Sequence, residues 1–388
     1  MARSRQSKAS LATIGREWTR IGLTGFGGPP AHISLLRQLV VERRRWLDPR
    51  AFQDALAACN LLPGPASTQL AIFCAYRVGG VPGALIGGLA FIAPAVVMII
   101  ALSVLFLAQA PPLWVRGAGA GAGAAVAAVA VRAGVDLLRP GYRRVRDHRE
   151  RALRWLLYLL AGAAGAALVG RYLVVILAAC GLLELAIERR RGARPAEGPN
   201  RLAVLPLAAA QGGIPALAWT AFKVGALAFG GGFVIVPLMQ GDAVHTYHWM
   251  TNGQFLNAVA LGQVTPGPVV ATVAAVGYAA HGVAGAVLAA VVAFAPSFLF
   301  VLAGGRRFEH LRQNAAALAF LGGAGPAAIG AILGAAVTLT RALSEAWQAG
   351  ILGAAAIALL LLRRGTVETL LAAGAIGVVV ALAGAPTP

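Results

Sequence analysis

Pro63-Gly64-Pro65 and Pro266-Gly267-Pro268 each interrupt an apolar segment long enough to cross a membrane. Proline removes a backbone donor and clashes with the preceding helical turn, and glycine loosens what remains. Backbone groups freed in this way need partners that lipid does not supply. Such breaks persist only where protein buries them or where they line a wet cavity. Two broken helices at matching places in two halves of one chain point to a transporter's binding site.

The surrounding sequence fits a membrane. Of 388 residues, 59% are hydrophobic and 12% are charged, against about a quarter charged in soluble domains. No Lys, Arg, Asp or Glu occurs between Arg77 and Arg116, between Asp242 and Arg306, or between Arg312 and Arg341. Each window exceeds the roughly 20 residues that one helical span needs. The alternation of a membrane β-barrel is absent. The expected fold is an all-α polytopic membrane protein with about 10 transmembrane helices. Most of the +19 net charge lies in short arginine runs between apolar segments. That is the distribution of cytoplasmic loops, so a lipid bilayer and not a nucleic acid is the expected partner. Cys59, Cys74 and Cys180 sit in apolar segments without metal-ligand spacing and read as core. Met1 to Ser10 is basic and is followed by Glu17, Trp18 and Arg20, which reads as a cytoplasmic tail and not a signal peptide.

The chain repeats itself. At a constant offset of 203, Gly22 matches Gly225, Gly27-Gly28 match Gly230-Gly231, and Trp46 matches Trp249. The two Pro-Gly-Pro breaks match at the same offset, as do Gly79 and Gly282. The predicted organisation is an N-terminal repeat over 1–188, a basic linker over 189–204 and a C-terminal repeat over 205–388. In the first half, an interrupted helix over 11–40 and the broken segment 51–76 precede spans near 82–109, 113–137, 153–169 and 172–188. In the second, spans are predicted near 217–240, 252–280, 282–304, 315–341, 345–362 and 366–384. Placing the arginine-rich loops inside turns the two halves into an inverted repeat. The first two elements of each half are left either as crossings or as hairpins that enter and leave on one side. Residues 202–216 are a candidate extra crossing.

Two motifs carry chemistry. Glycines at helix breaks (Gly27, Gly28, Gly230, Gly231, Gly232) leave backbone N–H groups facing outward, where helix N-termini attract anions; the bland alternative is close helix crossing. Around the Pro-Gly-Pro breaks stand the neutral hydrogen-bonding residues Asn60, Ser67, Thr68 and Gln69 in the first half and Gln263, Thr265 and Thr272 in the second. These suit an oxyanion whose charge is met by half-helix N-termini; the alternative is a kink alone. His32, Arg37 and Glu42 are ionisable groups in the first broken element and are functional candidates. Arg37 is placed either bidentately on an anion, paired with Glu42, or at the headgroups. Asp54 and Asp242 read as interfacial, and Lys223 and Arg77 as interfacial anchors or as the lining of a vestibule. His245 and His248 lack a carboxylate or cysteine to complete a metal set. No metal, no cofactor and no nucleotide fingerprint is expected, so transport would draw on a gradient.

With these residues in hand, the chain resembles the chromate ion transporter family in its long two-domain form. The resemblance rests on Phe26-Gly27-Gly28-Pro29 with His32, the run Glu42-Arg43-Arg44-Arg45-Trp46-Leu47, and Leu61-Leu62-Pro63-Gly64-Pro65 with Gln69, Tyr76, Arg77 and Gly79. In the second half it rests on Phe229-Gly230-Gly231-Gly232 and Gln263-Val264-Thr265-Pro266-Gly267-Pro268. It implies secondary transport of chromate out of the cytoplasm across a bacterial inner membrane, driven by membrane potential or a proton gradient. Sulfate, a tetrahedral dianion of similar size, is the competing substrate, and a passive anion channel or a membrane enzyme acting on lipid phosphate are the competing functions. A homodimer is left open.

Overall fold

The structure, a computed structural model, describes residues 9–60, 62, 64–108, 110–191, 212–228, 232–304 and 314–387. Fourteen α-helices occur among the described residues. The first half holds α1 (Leu11–Thr24), α2 (Pro29–Arg37), α3 (Pro49–Cys59), α4 (Ala66–Phe106), α5 (Leu113–Arg143), α6 (Arg149–Ala164) and α7 (Leu173–Arg190). The second holds α8 (Gly213–Leu227), α9 (Ile235–Gln240), α10 (Asn252–Val264), α11 (Val273–Gly304), α12 (Ala315–Arg341), α13 (Ala346–Ala356) and α14 (Thr366–Leu382). Five helices are long and apolar enough to cross a membrane by length and composition, and three shorter apolar ones accompany them. The protein is all-α and polytopic.

Local chemistry sets the helix starts. Ser10 caps α1 by accepting from the Thr13 amide, Asp48 caps α3 ahead of Pro49, and Thr251 with Gln254 forms a capping box on α10. The repeat carries through to irregular features. A π-turn follows α2 at Gln38–Arg43, and another follows α9 at Gly241–Thr246, in the same register.

The first two elements of each half are hairpins. Trp18 in α1 stacks on Trp46 with ring centroids 6.3 Å apart, and Arg44 reaches Glu17 at 2.6 Å. After the break at residues 25–28, α2 therefore brings the chain back beside α1. From Trp46 the chain runs out along α3, breaks at Pro-Gly-Pro, and returns along α4, where Ala71 accepts the Trp18 indole N–H at 2.9 Å. The corresponding tie in the second half is Asp242, which accepts from Thr220 at 2.8 Å and pairs with Lys223. Asp242, expected at the interface, and Lys223, expected there or in a vestibule, are buried and half-buried partners that hold α8 to the turn after α9.

Both α4 and α11 fold back on themselves at a glycine with left-handed backbone: Gly80 (φ +66°) and Gly282 (φ +61°). Within each, the arms lie so close that a Cβ on Gly83 would come 2.6 Å from the Ala75 carbonyl, and one on Gly285 would come 2.3 Å from the Gly277 carbonyl. These pairs show that Gly80, and not Gly79, is the counterpart of Gly282. The second half is one residue shorter between break and hinge. It opens that stretch with a 3₁₀ turn, Val269–Thr272, where the first half is already α-helical. A 3₁₀ helix rises about 2.0 Å per residue against 1.5 Å, so its four residues cover the length of about five α-helical ones.

The halves interlock. Helix α5 packs against α13 and α14, α12 against α6 and α7, and α4 against α11. Glycines make the crossings: Gly121 faces the Ala373 carbonyl, and its counterpart Gly323 faces the Cys180 carbonyl. Gly134 of α5 meets Ile332 and Leu333, while Gly141 meets Ile329, so α5 and α12 run antiparallel. Equivalent helices pointing opposite ways are the mark of an inverted repeat.

Some boundaries differ from the sequence expectation. The segment 217–240 is not one span, because α8 ends at Leu227 and α9 starts at Ile235. Helix α5 runs past 137 to Arg143, and α7 runs through Arg189 and Arg190 into the expected linker. Linker residues 192–204, the candidate crossing up to residue 211, and Arg306, Arg307 and Arg312 lie outside the described residues. Cys59, Cys74 and Cys180 are buried, as core residues should be.

Candidate functional site

Both Pro-Gly-Pro breaks open into one cavity of about 350 Å³. Gly27, Gly28, Pro29 and Pro30 enter it from the first break, and Asn60, Pro65, Ala66 and Ser67 from the second. The second half contributes Gly232, Phe233, Gln263, Thr265, Gly267 and Pro268. The walls are completed by α5 (Val129, Arg132, Asp136) and by Thr366 at the start of α14.

The glycines of the two breaks share one backbone conformation. Gly64 has φ +112° and Gly267 φ +107°, a region that side-chain-bearing residues rarely adopt. Each break also touches the opposite half. A Cβ on Gly64 would lie 3.2 Å from the Gly225 carbonyl, and one on Gly267 would lie 2.7 Å from Ala95 Cβ. The Gly267 amide donates to the Gly25 carbonyl at 3.2 Å. The breaks therefore hold one another in place as well as lining the same space.

Helix starts surround the cavity. Helix α4 begins at Ala66 and the 3₁₀ turn before α11 at Val269, and both residues line it. Their first N–H groups precede any intrahelical partner, so the positive ends of two half-helices face the same space. Helix α2 contributes less, because Pro29 and Pro30 have no N–H and the Ala31 and His32 amides donate to the Gly28 carbonyl.

The candidate residues divide. Gly27, Gly28, Asn60, Pro65, Gly232, Gln263, Thr265, Gly267 and Pro268 line the cavity. Gln263 Nε2 is buried and has no partner among the described residues. Thr265 is less available as a donor, since its hydroxyl hydrogen goes to the Leu261 carbonyl at 2.9 Å. Gly64, Thr68, Gln69 and Pro266 are buried but do not belong to the lining; Gln69 lies behind Gly64. His32 is fully buried beside the cavity, where it ties the two breaks of the first half together. Its Nε2 is 2.9 Å from the Gly25 carbonyl oxygen, its Nδ1 is 3.4 Å from Ser67 Oγ, and Phe91 meets its ring edge-on. Arg37 sits outside the cavity, half exposed, 3.6 Å from Glu42. Pro63, Gly230 and Gly231 lie outside the described residues.

Sequence reasoning missed Arg132 and Asp136. They stand one turn apart in α5, within a segment read only as a span near 113–137, and Arg132 Nε donates to Asp136 Oδ2 at 2.8 Å. The signal was there: an oppositely charged pair inside an apolar span is a functional candidate.

The sequence model described as "Chromate transporter" matches residues 12–185 and 215–381, one stretch in each half. The chain belongs to the chromate transporter family. Within curated sequences it is 33% identical over 364 residues to the chromate transport protein of Cupriavidus metallidurans, covering 92% of this chain and 89% of that one. It is 31% identical over 347 residues to a chromate transport protein of Pseudomonas aeruginosa, covering 84% of this chain and 80% of the relative. A probable chromate transport protein of Synechococcus elongatus is 28% identical over 342 residues, covering 86% of this chain and 85% of the relative. No solved structure matches the chain. Membership of a transporter family, with the cavity between the family's two repeats, makes this a multi-pass membrane transporter.

Proposed function

We propose that the protein is a secondary active transporter that exports chromate across the bacterial inner membrane, driven by membrane potential or a proton gradient. The observation that carries this reading is the convergence of both Pro-Gly-Pro breaks on one cavity whose wall holds the unpartnered buried donor Gln263 Nε2. A buried donor without an acceptor is costly, by about 1–3 kcal/mol, and an oxyanion oxygen would relieve it. Half-helix N-termini at Ala66 and Val269 add positive potential in the same place. Gly27, Gly28, Asn60, Gln263, Gly267 and the α4 start form the binding surface. His32 holds the first half's breaks in register and does not touch the anion. The inverted repeat supplies alternating access: the cavity reaches along α5 from Val129 to Leu137, toward the end that carries Arg139, Arg143 and Arg144. By the positive-inside bias that end is cytoplasmic. The names of the relatives support chromate as the substrate.

Inverted membrane vesicles offered labelled chromate under an imposed potential or pH gradient should accumulate it saturably, with sulfate competing. Vesicles that move neither anion under either gradient would sink the proposal, and flux without saturation would turn it into a channel.

A further inference from the structure

We infer that Arg132 is the charge partner of the transported anion, and that Asp136 is the counter-ion the anion displaces. The inference rests on the reading of the cavity as an oxyanion site and names the group that recognises the charge.

Among the described residues, Arg132 and Asp136 are the charged side chains in the cavity wall. Everything else facing that space is apolar, a backbone group or a neutral amide or hydroxyl. A dianion brought into such surroundings loses its water, and a formal counter-charge adds to what neutral donors and half-helix N-termini supply. Arg37, placed by the sequence on an anion, against Glu42 or at the headgroups, is half exposed and paired with Glu42.

Arg132 is built to stay and Asp136 to leave. One guanidinium nitrogen of Arg132 donates to the Leu359 carbonyl, in the π-turn that ends α13, which fixes the group from the opposite half. Its Nε is taken by Asp136. A guanidinium has five N–H groups, so the remaining ones are left to form a fork toward the cavity. The Arg132 side chain is 29% exposed, whereas that of Asp136 is 57% exposed, so the carboxylate is the partner that water already solvates. An arriving tetrahedral dianion carries more charge than the carboxylate and fits the guanidinium fork bidentately. The exchange breaks one ion pair, forms another and needs no covalent step. When the cavity is empty, Asp136 neutralises Arg132, so the unloaded carrier holds no uncompensated charge in the cavity wall while it reorients.

The pair is present on one side only. The counterpart of Arg132 in α12 is Gly334, where a Cβ would come 2.3 Å from the Ala163 carbonyl. The pseudo-symmetric cavity thus has one charged pole, which suits a single anion.

Chromate binding and flux measured on the purified full chain in proteoliposomes test this with Arg132→Gln, Arg132→Lys and Asp136→Asn. Arg132→Gln should weaken binding by about 10- to 100-fold, the loss of a charge-assisted hydrogen-bond pair. Arg132→Lys should recover part of that affinity, because it keeps the charge without the fork. Asp136→Asn should tighten binding several-fold and lower turnover, because the competitor for Arg132 is gone and the empty carrier is left charged. Wild-type affinity in Arg132→Gln would overturn the assignment. Should that variant fail to fold, weaker binding in Asp136→Asn would overturn it equally, since a merely structural pair loses affinity from either side. A wild-type chain that binds no oxyanion would instead sink the reading of the cavity itself.

Discussion

The two breaks of this protein share a backbone and differ in chemistry. Gly64 and Gly267 have nearly the same φ, and the π-turns ahead of them fall in the same register. Around that common frame the first half places His32, Ser67 and Gln69 where the second has Ile235, Val270 and Thr272. Its bonds to Gly25 and Ser67 make the first break a polar knot. The second break is held by apolar packing on Ala95 and by the Gly267 amide. Geometry is what an inverted repeat must keep, because two half-helices have to meet at one point. Side chains are free to diverge, and a single asymmetric anion site requires that they do.

Substitutions at matched or contrasting positions of the two halves test this division. The largest effect is expected at the crossing of α8 on α11. A Cβ on Gly225 would lie 1.8 Å from the Ala293 carbonyl, whereas one on Gly22 would lie 2.6 Å from that of Phe91. Gly225→Ala should cost about 3 kcal/mol, the upper end for overpacking, and Gly22→Ala less. Thermal unfolding followed by size-exclusion fluorescence in detergent would rank them, and equal stability of the two variants would break the comparison.

Next comes the matched amide pair in the cavity wall. Gln263→Leu should raise the chromate KM about tenfold or more by removing a donor to a charged group. Asn60→Leu, its counterpart, should raise KM less, because Asn60 lacks the unpartnered buried donor of Gln263. Flux in proteoliposomes reads both, and a larger effect at Asn60 would reverse the roles given to the two halves.

Converting the polar knot to its apolar counterpart is a smaller change. His32→Ile removes one of the two partners of the Gly25 carbonyl, the Gly267 amide remaining, at a cost of about 1 kcal/mol in stability. If His32 holds the breaks without touching the anion, the melting temperature should fall while KM in the surviving protein stays near wild type. A selective rise in KM would put His32 in contact with substrate.

Arg37→Ala should do least. Exposed ion pairs contribute about 0–1 kcal/mol, so chromate flux should stay within about twofold of wild type. Loss of transport would show that Arg37 leaves Glu42 during the cycle.

Sequence and structure agree where glycine and proline dictate backbone. The breaks, their pairing and the inverted halves were legible because few residues tolerate those dihedrals and freed backbone groups in a membrane. The hairpin return was not legible, since a break gives no direction. Direction is set by Trp18 meeting both Trp46 and Ala71, contacts made only on folding. The Gly79–Gly282 match failed for a related reason: a 3₁₀ turn absorbed one residue, and periodic matching carries no record of helix type. Arg37 stands near a motif but lies outside the cavity, while Arg132 reaches the cavity wall only through the packing of α5 against the opposite half.

The central claim is that both breaks serve one anion. Equilibrium binding of chromate to the purified chain, wild type beside Gln263→Leu, tests it most directly. The account predicts one chromate per chain, competed by sulfate, with that single site weakened by Gln263→Leu. Two independent sites per chain, or a site indifferent to Gln263, would contradict it.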